Sequence, residues 1–321
     1  VHTYNQIYTM VAKTNIVINT DISTLTGTAQ DLAKAEYYQG QAYALRAHGF
    51  FDLLRLYGQK YTGSAKQLGI VTPLKYDPKA NQARKTVAET EAQIEADFNK
   101  ALTVMTSQSS YDVPSNKTEL SINALKVLMS RYYLYKGDYA KVRSLINDVY
   151  GKYSVAARDL YQPSFDYTLR GAAPNAIFEL EVGTDSSLST SSYNQVLSVN
   201  GYYNLVALAS SYNLYATNDI RKSLISYLSA ANGTKYYFLS AGSKGKYLNR
   251  TGADNIKMVR YEEALLNGAE AELQPGGNPA KALEYYNSII KNRGLSEVSS
   301  VDLDMIKVER RKELLGEGFR Q

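Results

Sequence analysis

The stretch Ala42–Gly58, AYALRAHGFFDLLRLYG, constrains this chain more than any other. At about 100° per residue, Tyr38, Ala42, Leu45, Gly49, Leu53 and Leu56 fall on one apolar stripe. Tyr43, Ala47, Phe50, Leu54 and Tyr57 form a second stripe, rotated well away from the first. A helix apolar on two sides must be covered on both. Ala42, Ala47 and Gly49 are small enough to let neighbouring helices come close. Gly58 follows the last periodic residue, the place of a C′ glycine. Arg46, Asp52 and Arg55 lie beside the stripes, and any that are buried need partners. The stretch is expected to be the central helix, from about Ala29 to Tyr57, of an all-helical core.

The flanking sequence supplies the covering helices. Val1–Asn19 carries Ile7, Met10, Val11, Thr14 and Ile18 at helical spacing. Thr86-Val87-Ala88-Glu89 reads as a capping box opening a helix through Met105, with Val87, Ile94, Phe98, Ala101 and Met105 inward. Ser121 can cap a helix bearing Leu125, Leu128, Tyr132 and Tyr135. Gly137-Asp138 then turns the chain into a partner bearing Tyr139, Val142, Ile146 and Val149. From Gly151 to about Gly252 the chain becomes rich in Ser, Asn, Gly and Tyr. There Ile177–Val182 and Lys235–Ser240 read as strands, and Leu205–Tyr215 and Asp219–Leu228 as short helices. Helical order returns at Asn255, with Met258, Tyr261, Leu265 and Gly268 on one face. QPGGNP breaks it before a helix over Ala280–Arg293, and Ser300–Phe319 reads as a charged closing helix. The helix–turn–helix layouts around Gly137 and around QPGGNP resemble one another, which suggests tetratricopeptide-like units. The expectation is a mainly α protein. Tetratricopeptide-like helix pairs over 1–150 and 254–321 would form a scaffold, and an irregular loop-rich lobe with short strands, 151–253, would be inserted into it.

Composition removes several chemistries. With no cysteine and only two histidines, no disulfide, thiolate nucleophile or Cys/His metal cluster can form, and neither cofactor nor metal is expected. The net charge of +5 includes no dense basic run, so solvated surface is the better reading and no nucleic-acid partner is expected. No apolar run approaches the roughly 18 residues of a membrane span. Arg46, Arg131, Arg260, Arg310 and Arg311 alternate with acids and are expected in structural ion pairs, and His48 is expected to be a packing residue. Gly242-Ser-Lys-Gly-Lys246 fails the phosphate-loop pattern, since Ser240 and Tyr247 stand at positions that need Gly and Ser/Thr. Glu262 and Glu263 are neighbours on a helix and point apart, so they cannot flank a glycosidic bond.

The chain has 29 tyrosines and no tryptophan. Tyr193, Tyr202, Tyr203, Tyr236 and Tyr237 fall among amides, serines and glycines rather than on apolar stripes, with Asn194, Asn200 and Asn204 close by. Such a tyrosine serves either as packing or as a binding platform. Its ring can stack on the C–H face of a pyranose while neighbouring amides bond the hydroxyl rim. Tyr193, Asn200, Tyr202, Tyr203, Asn204, Tyr236 and Tyr237 are therefore the expected ligand contacts.

Several of these segments, taken in order, resemble the SusD/RagB family of outer-membrane nutrient-binding lipoproteins. The similarity runs through Leu45-Arg46-Ala47 to Phe51-Asp52-Leu53, Arg55 and Tyr57-Gly58, then Pro73-Leu74, Arg84, Val87, Glu89, Ile94 and Asp97. It continues at Ala124, Arg131 to Tyr135, Asp138-Tyr139, Ile177-Phe178-Glu179, Tyr215, Asp219 and Arg221. It ends at Arg260-Tyr261, Glu263-Ala264, Ala269-Glu270-Ala271, Glu309-Arg310-Arg311, Glu313-Leu314, Glu317-Gly318 and Arg320. The resemblance implies a SusD-like fold and a surface-exposed lipoprotein of the outer membrane. Such a protein binds a glycan nutrient without catalysis and delivers it to a SusC-like TonB-dependent transporter. The sequence opens on Val1 and closes on Arg320-Gln321 with a helical pattern running, so a lipid anchor is expected outside it. A helical-repeat scaffold that binds only proteins is the alternative, and a hydrolase a more distant one.

Overall fold

In the computed structural model, α1 (His2–Asn19), α2 (Ala29–Tyr57) and α3 (Val87–Ser107) pack with α2 in contact with both others. The structure describes residues 2–59, 66–199, 201–202, 205–241, 243–249 and 251–319. The chain divides into two compact units, Val1–Val113 with Leu120–Leu128, and Pro114–Glu119 with Met129–Gln321.

In the first unit α2 is buried through its middle on every side, including Ala44, Ala47, Phe50 and Leu53. A Cβ on Gly49 would come within 2.7 Å of Met10 in α1, and one on Gly40 within 2.6 Å of Met105 in α3. The small residues thus mark the two helix contacts. Tyr38, Leu56 and Tyr57 stay exposed, because the stripes outrun the helices that cover them. Both helix starts carry capping boxes, Thr28 with Asp31 and Thr86 with Glu89. Gly58 is extended, at φ −69° and ψ 157°, rather than left-handed. It is a glycine because a Cβ there would sit 2.5 Å from the Leu54 carbonyl oxygen. Arg46, buried in this apolar bundle, forks onto Asp97 at 2.8 and 2.7 Å and donates to Asn15 at 2.8 Å, joining α2 to α3 and α1.

α4 (Ile122–Lys136) opens with Ala124 N–H bonded to Ser121 Oγ. Gly137, at φ 83°, makes the tight turn into α5 (Tyr139–Val149). β1 (Ala176–Leu180) is followed by the one-turn helices α6 (Tyr193–Leu197) and α7 (Ala209–Tyr212). Then come β2 (Ser226–Ser229), β3 (Lys235–Phe238), β4 (Ser240–Ala241), β5 (Lys244–Gly245) and β6 (Ile256–Arg260). The chain closes with α8 (Tyr261–Glu272), α9 (Pro279–Lys291) and α10 (Leu303–Glu313). All twelve residues of α8 are buried, under α5, α9 and α10.

The boundaries 1–150, 151–253 and 254–321 are not those of the compact units. α5 packs on α8, and β1 pairs antiparallel with β6, so these stretches close up together. Three local expectations are corrected. Residues 256–260 are strand rather than helix, because β1 offers an edge and Val259 fills the sheet core. Ser226–Ser229 is extended rather than helical, paired with β3, and only Ile220–Leu224 before it turns as a 3-10 helix. α10 stops at Glu313 and the chain turns through Gly316 and Gly318, both at positive φ. The fold class is mainly α with a few short strands, as expected.

Candidate functional site

The irregular part of the second unit is built on buried charge. Three guanidinium groups converge on Glu313: Arg260 at 3.0 Å, Arg293 at 2.9 Å and Arg221 at 2.9 Å. Glu262 binds Arg260 and Arg293, Glu309 binds Arg221 and Lys312, and Glu317 binds Arg260 and Lys246. Asp219 takes the remaining fork of Arg221 at 2.7 Å. Arg221, Lys246, Arg260, Arg293 and Lys312 balance Asp219, Glu262, Glu309, Glu313 and Glu317, so the cluster has no net charge. Burial alone would raise the Glu313 carboxyl, but Arg293 and Arg260 reverse this and hold it well below the usual range. Burial lowers the Lys246 ammonium against the pull of Glu317. Phe165 covers the cluster, with Lys246 Nζ 4.9 Å and the Arg260 guanidinium 5.1 Å from its ring centre. Each of these groups is used within the protein, so the cluster holds the lobe rather than a ligand.

On this base stands the β2–β3 hairpin, paired Ser226 to Phe238 through Ser229 to Lys235. Its loop closes through Ala230 N–H to Thr234 O, with Gly233 at φ 81°. Ala207 makes a single antiparallel bridge to the far edge of β3 at Tyr237. Burial follows position along the hairpin as well as face: Lys235 and Tyr236 toward the tip are exposed, and Tyr237 and Phe238 toward the base are buried. Tyr237 faces inward, 7% exposed, stacked on Tyr212 at 4.6 Å and packed with Tyr215 and Ile225. Tyr236 and Leu228, opposite each other on the other face, are 44% and 47% exposed. Val206 and Leu208 flank Ala207 and are 45% and 66% exposed. Lys235 Nζ lies 4.4 Å from the Tyr227 ring centre at the hairpin's free end.

The proposed contacts divide accordingly. Tyr202 is 51% exposed, and its N–H donates to Gln195 O at 2.7 Å. That approach needs Gly201, whose Cβ would lie 2.1 Å from the same oxygen. Four residues lie between Tyr202 and Ala207, so their α carbons are at most about 18 Å apart. Tyr236 is exposed on the hairpin itself. Tyr193 is half-buried, stacked on Tyr247 at 4.6 Å over the cluster of Tyr161, Phe165 and Leu224. Burial raises its hydroxyl pKa. Tyr237 is a core residue: its ring is spent on Tyr212 and Tyr215. Asn194 donates to Tyr247 O at 3.0 Å and is likewise internal. Asn200, Tyr203 and Asn204 lie outside the described residues. Sequence reasoning missed Tyr227, Leu228, Val206 and Leu208. Leu228 lies opposite Tyr236, Tyr227 opposite Tyr237, and Val206 and Leu208 flank the residue that bridges to Tyr237, placements that only the pairing reveals.

Residues 1–134 match a SusD-like family described as starch-binding and associating with the outer membrane, and residues 218–321 match the SusD family. Among solved structures, the protein named "Putative sugar binding protein" from Bacteroides vulgatus ATCC 8482 is 26% identical, with a TM-score of 0.85 over 99% of this chain and 71% of that one. A SusD superfamily protein from Bacteroides thetaiotaomicron VPI-5482 is 25% identical, with a TM-score of 0.81 over 98% of this chain and 72% of that one. Surface glycan-binding protein A from Bacteroides uniformis, 17% identical, shares the fold at a TM-score of 0.71 over 99% of this chain and 72% of that one. No curated protein matches the sequence. Two SusD-type matches at opposite ends of the chain, and structural likeness along nearly all of it, place it in one group: the chain belongs to the SusD/RagB family.

Proposed function

We propose that this protein captures a glycan at the outer surface of the cell and delivers it, unaltered, to a SusC-like TonB-dependent transporter in the outer membrane. The observation that carries this reading is the exposed hairpin face, with Tyr236 and Leu228 on a ladder braced from behind by Tyr237 and Tyr212. A flat aromatic surface fixed before binding spends little entropy on capture. Tyr202, exposed on the connection that leads to Ala207, supplies a second ring, and Tyr203, Asn200 and Asn204 belong to the same connection in sequence. The sugar-binding and glycan-binding names of the structural relatives support the ligand class. The family's association with the outer membrane supports a surface lipoprotein, and no helix among the described residues is long and apolar enough to cross a membrane.

A passive role fits the carboxylates. Glu262 is held by Arg260, Arg293 and Asn175, and Glu263 by Arg131 at 2.6 Å, so neither is available as an acid or base. Isothermal titration against a panel of oligosaccharides that includes maltooligosaccharides tests the reading. Binding is expected, weakened about tenfold, or 1.4 kcal/mol, by Tyr236→Ala or Tyr202→Ala, with the sugar recovered intact. A second reading draws on the aliphatic Val206 and Leu208, which would suit a protein partner. It takes precedence if no oligosaccharide binds while a partner protein protects this face from hydrogen exchange.

A further inference from the structure

The first unit contains a cavity of its own, about 380 Å³, between α1 and the segment that follows α2. That size lies within the roughly 300–1,000 Å³ range of small-molecule pockets. One wall is the α1 stripe Tyr4, Tyr8 and Ala12. The Tyr4 and Tyr8 rings are 4.7 Å apart, and Tyr57 meets Tyr4 edge-on at 5.2 Å. Tyr8 Oη donates to Val71 O at 2.8 Å, and Asn15 Nδ2 donates to Pro73 O at 2.8 Å, so this wall and the floor are fixed in place. The Arg46–Asp97 pair holds Asn15 from beneath.

The opposite wall is polar and open. Tyr76 is 57% exposed, and beside it the side chains of Asn81 and Gln82 each offer a donor and an acceptor. Lys75 and Asp77 add one charge of each sign, so the lining carries no net charge. A hydrocarbon ligand would make no use of the amides, which would keep only water as partner. A singly charged ligand would meet a like charge as well as an opposite one. The chemistry that suits both walls has one apolar face, a rim of hydroxyls and no charge.

We infer that this cavity is a second carbohydrate site, shaped for a neutral mono- or disaccharide, in which the sugar lies against the Tyr4 and Tyr8 rings and bonds Asn81 and Gln82. It does not depend on the hairpin. Saturation-transfer NMR with maltose and cellobiose tests it on the full chain. The variants are Tyr76→Ala/Asn81→Ala/Gln82→Ala in the cavity and Tyr202→Ala/Tyr236→Ala in the second unit. All five side chains are surface ones, and an unchanged melting curve confirms folding. The disaccharide signal is expected to fall at least about fivefold, near 1 kcal/mol, in the cavity variant and to persist in the other. A signal equal in wild type and cavity variant overturns the inference, as does no disaccharide signal in wild type. Loss confined to the cavity variant, with oligosaccharide titration unaffected in the Tyr202/Tyr236 variant, supports this site and removes the hairpin reading instead.

Discussion

The two units hold themselves together by different means. The first is an apolar three-helix packing tied by a buried fork, Arg46 on Asp97. The second joins an irregular lobe to α8, α9 and α10 through a cluster of paired charges around Glu313. Long loops have little apolar surface to bury, and so little to set against the entropy of ordering them. Directional charge-assisted bonds fix them instead, at the risk that losing one partner leaves the others buried and uncompensated.

The largest expected effect tests that contrast. Glu313→Gln leaves three arginines short of a partner and should cost about 3–5 kcal/mol in urea denaturation. Hydrogen exchange should quicken in α9, α10 and the lobe, while α1–α3 keep their protection. An equal loss in both units would break the comparison. The pH dependence follows the same residue. Its folded pKa lies well below the ordinary 4.5, so its contribution is complete above that value and is lost as the pH falls through the folded pKa. Wild type should therefore lose more of its urea midpoint between about pH 5 and pH 3 than Glu313→Gln does.

The next effect belongs to the first unit. Gly40→Ala would place a carbon 2.6 Å from Met105 and 3.2 Å from its backbone nitrogen. Overpacking there should cost about 1–3 kcal/mol and leave the charge cluster intact. A neutral outcome would mean that α2 and α3 are less closely set than Gly40 implies. Further down the scale, Thr86→Ala removes the cap of α3 and should cost about 1 kcal/mol, read from the same denaturation curves.

The same contrast explains what could be read in advance. α2 and α3 were legible almost to the residue, because the Thr86–Glu89 capping box and the apolar spacing are local signals. The hairpin was half legible. Lys235–Ser240 reads as a strand from its own residues, but Ser226–Ser229 becomes one only by pairing with it. β6 was hidden for the same reason: Met258 and Tyr261 fit a helical stripe equally well until β1 is known to lie beside them. The partners of Glu313 are 20 to 92 residues away in sequence, and no periodicity reports such pairs. For the site, composition separated tyrosines from apolar stripes but not inward from outward ones. Tyr236 and Tyr237 are adjacent, and what packs on the base of the hairpin, Tyr212 on Tyr237 among it, decides that one is exposed and the other buried.

The smallest expected change in stability therefore carries the most functional weight. Tyr236→Ala removes a ring that is 44% exposed and has only Leu228 directly opposite, so stability should shift by no more than about 0.5 kcal/mol. Tyr237→Ala, one residue on, removes a buried ring stacked on Tyr212 and should cost about 3–5 kcal/mol. If Tyr236→Ala instead destabilises the protein as much as its neighbour does, the outward face is structural, and weaker oligosaccharide binding in that variant would report loss of the hairpin rather than of a contact. If stability holds and binding falls, the ring is present on the surface for what it touches outside the chain.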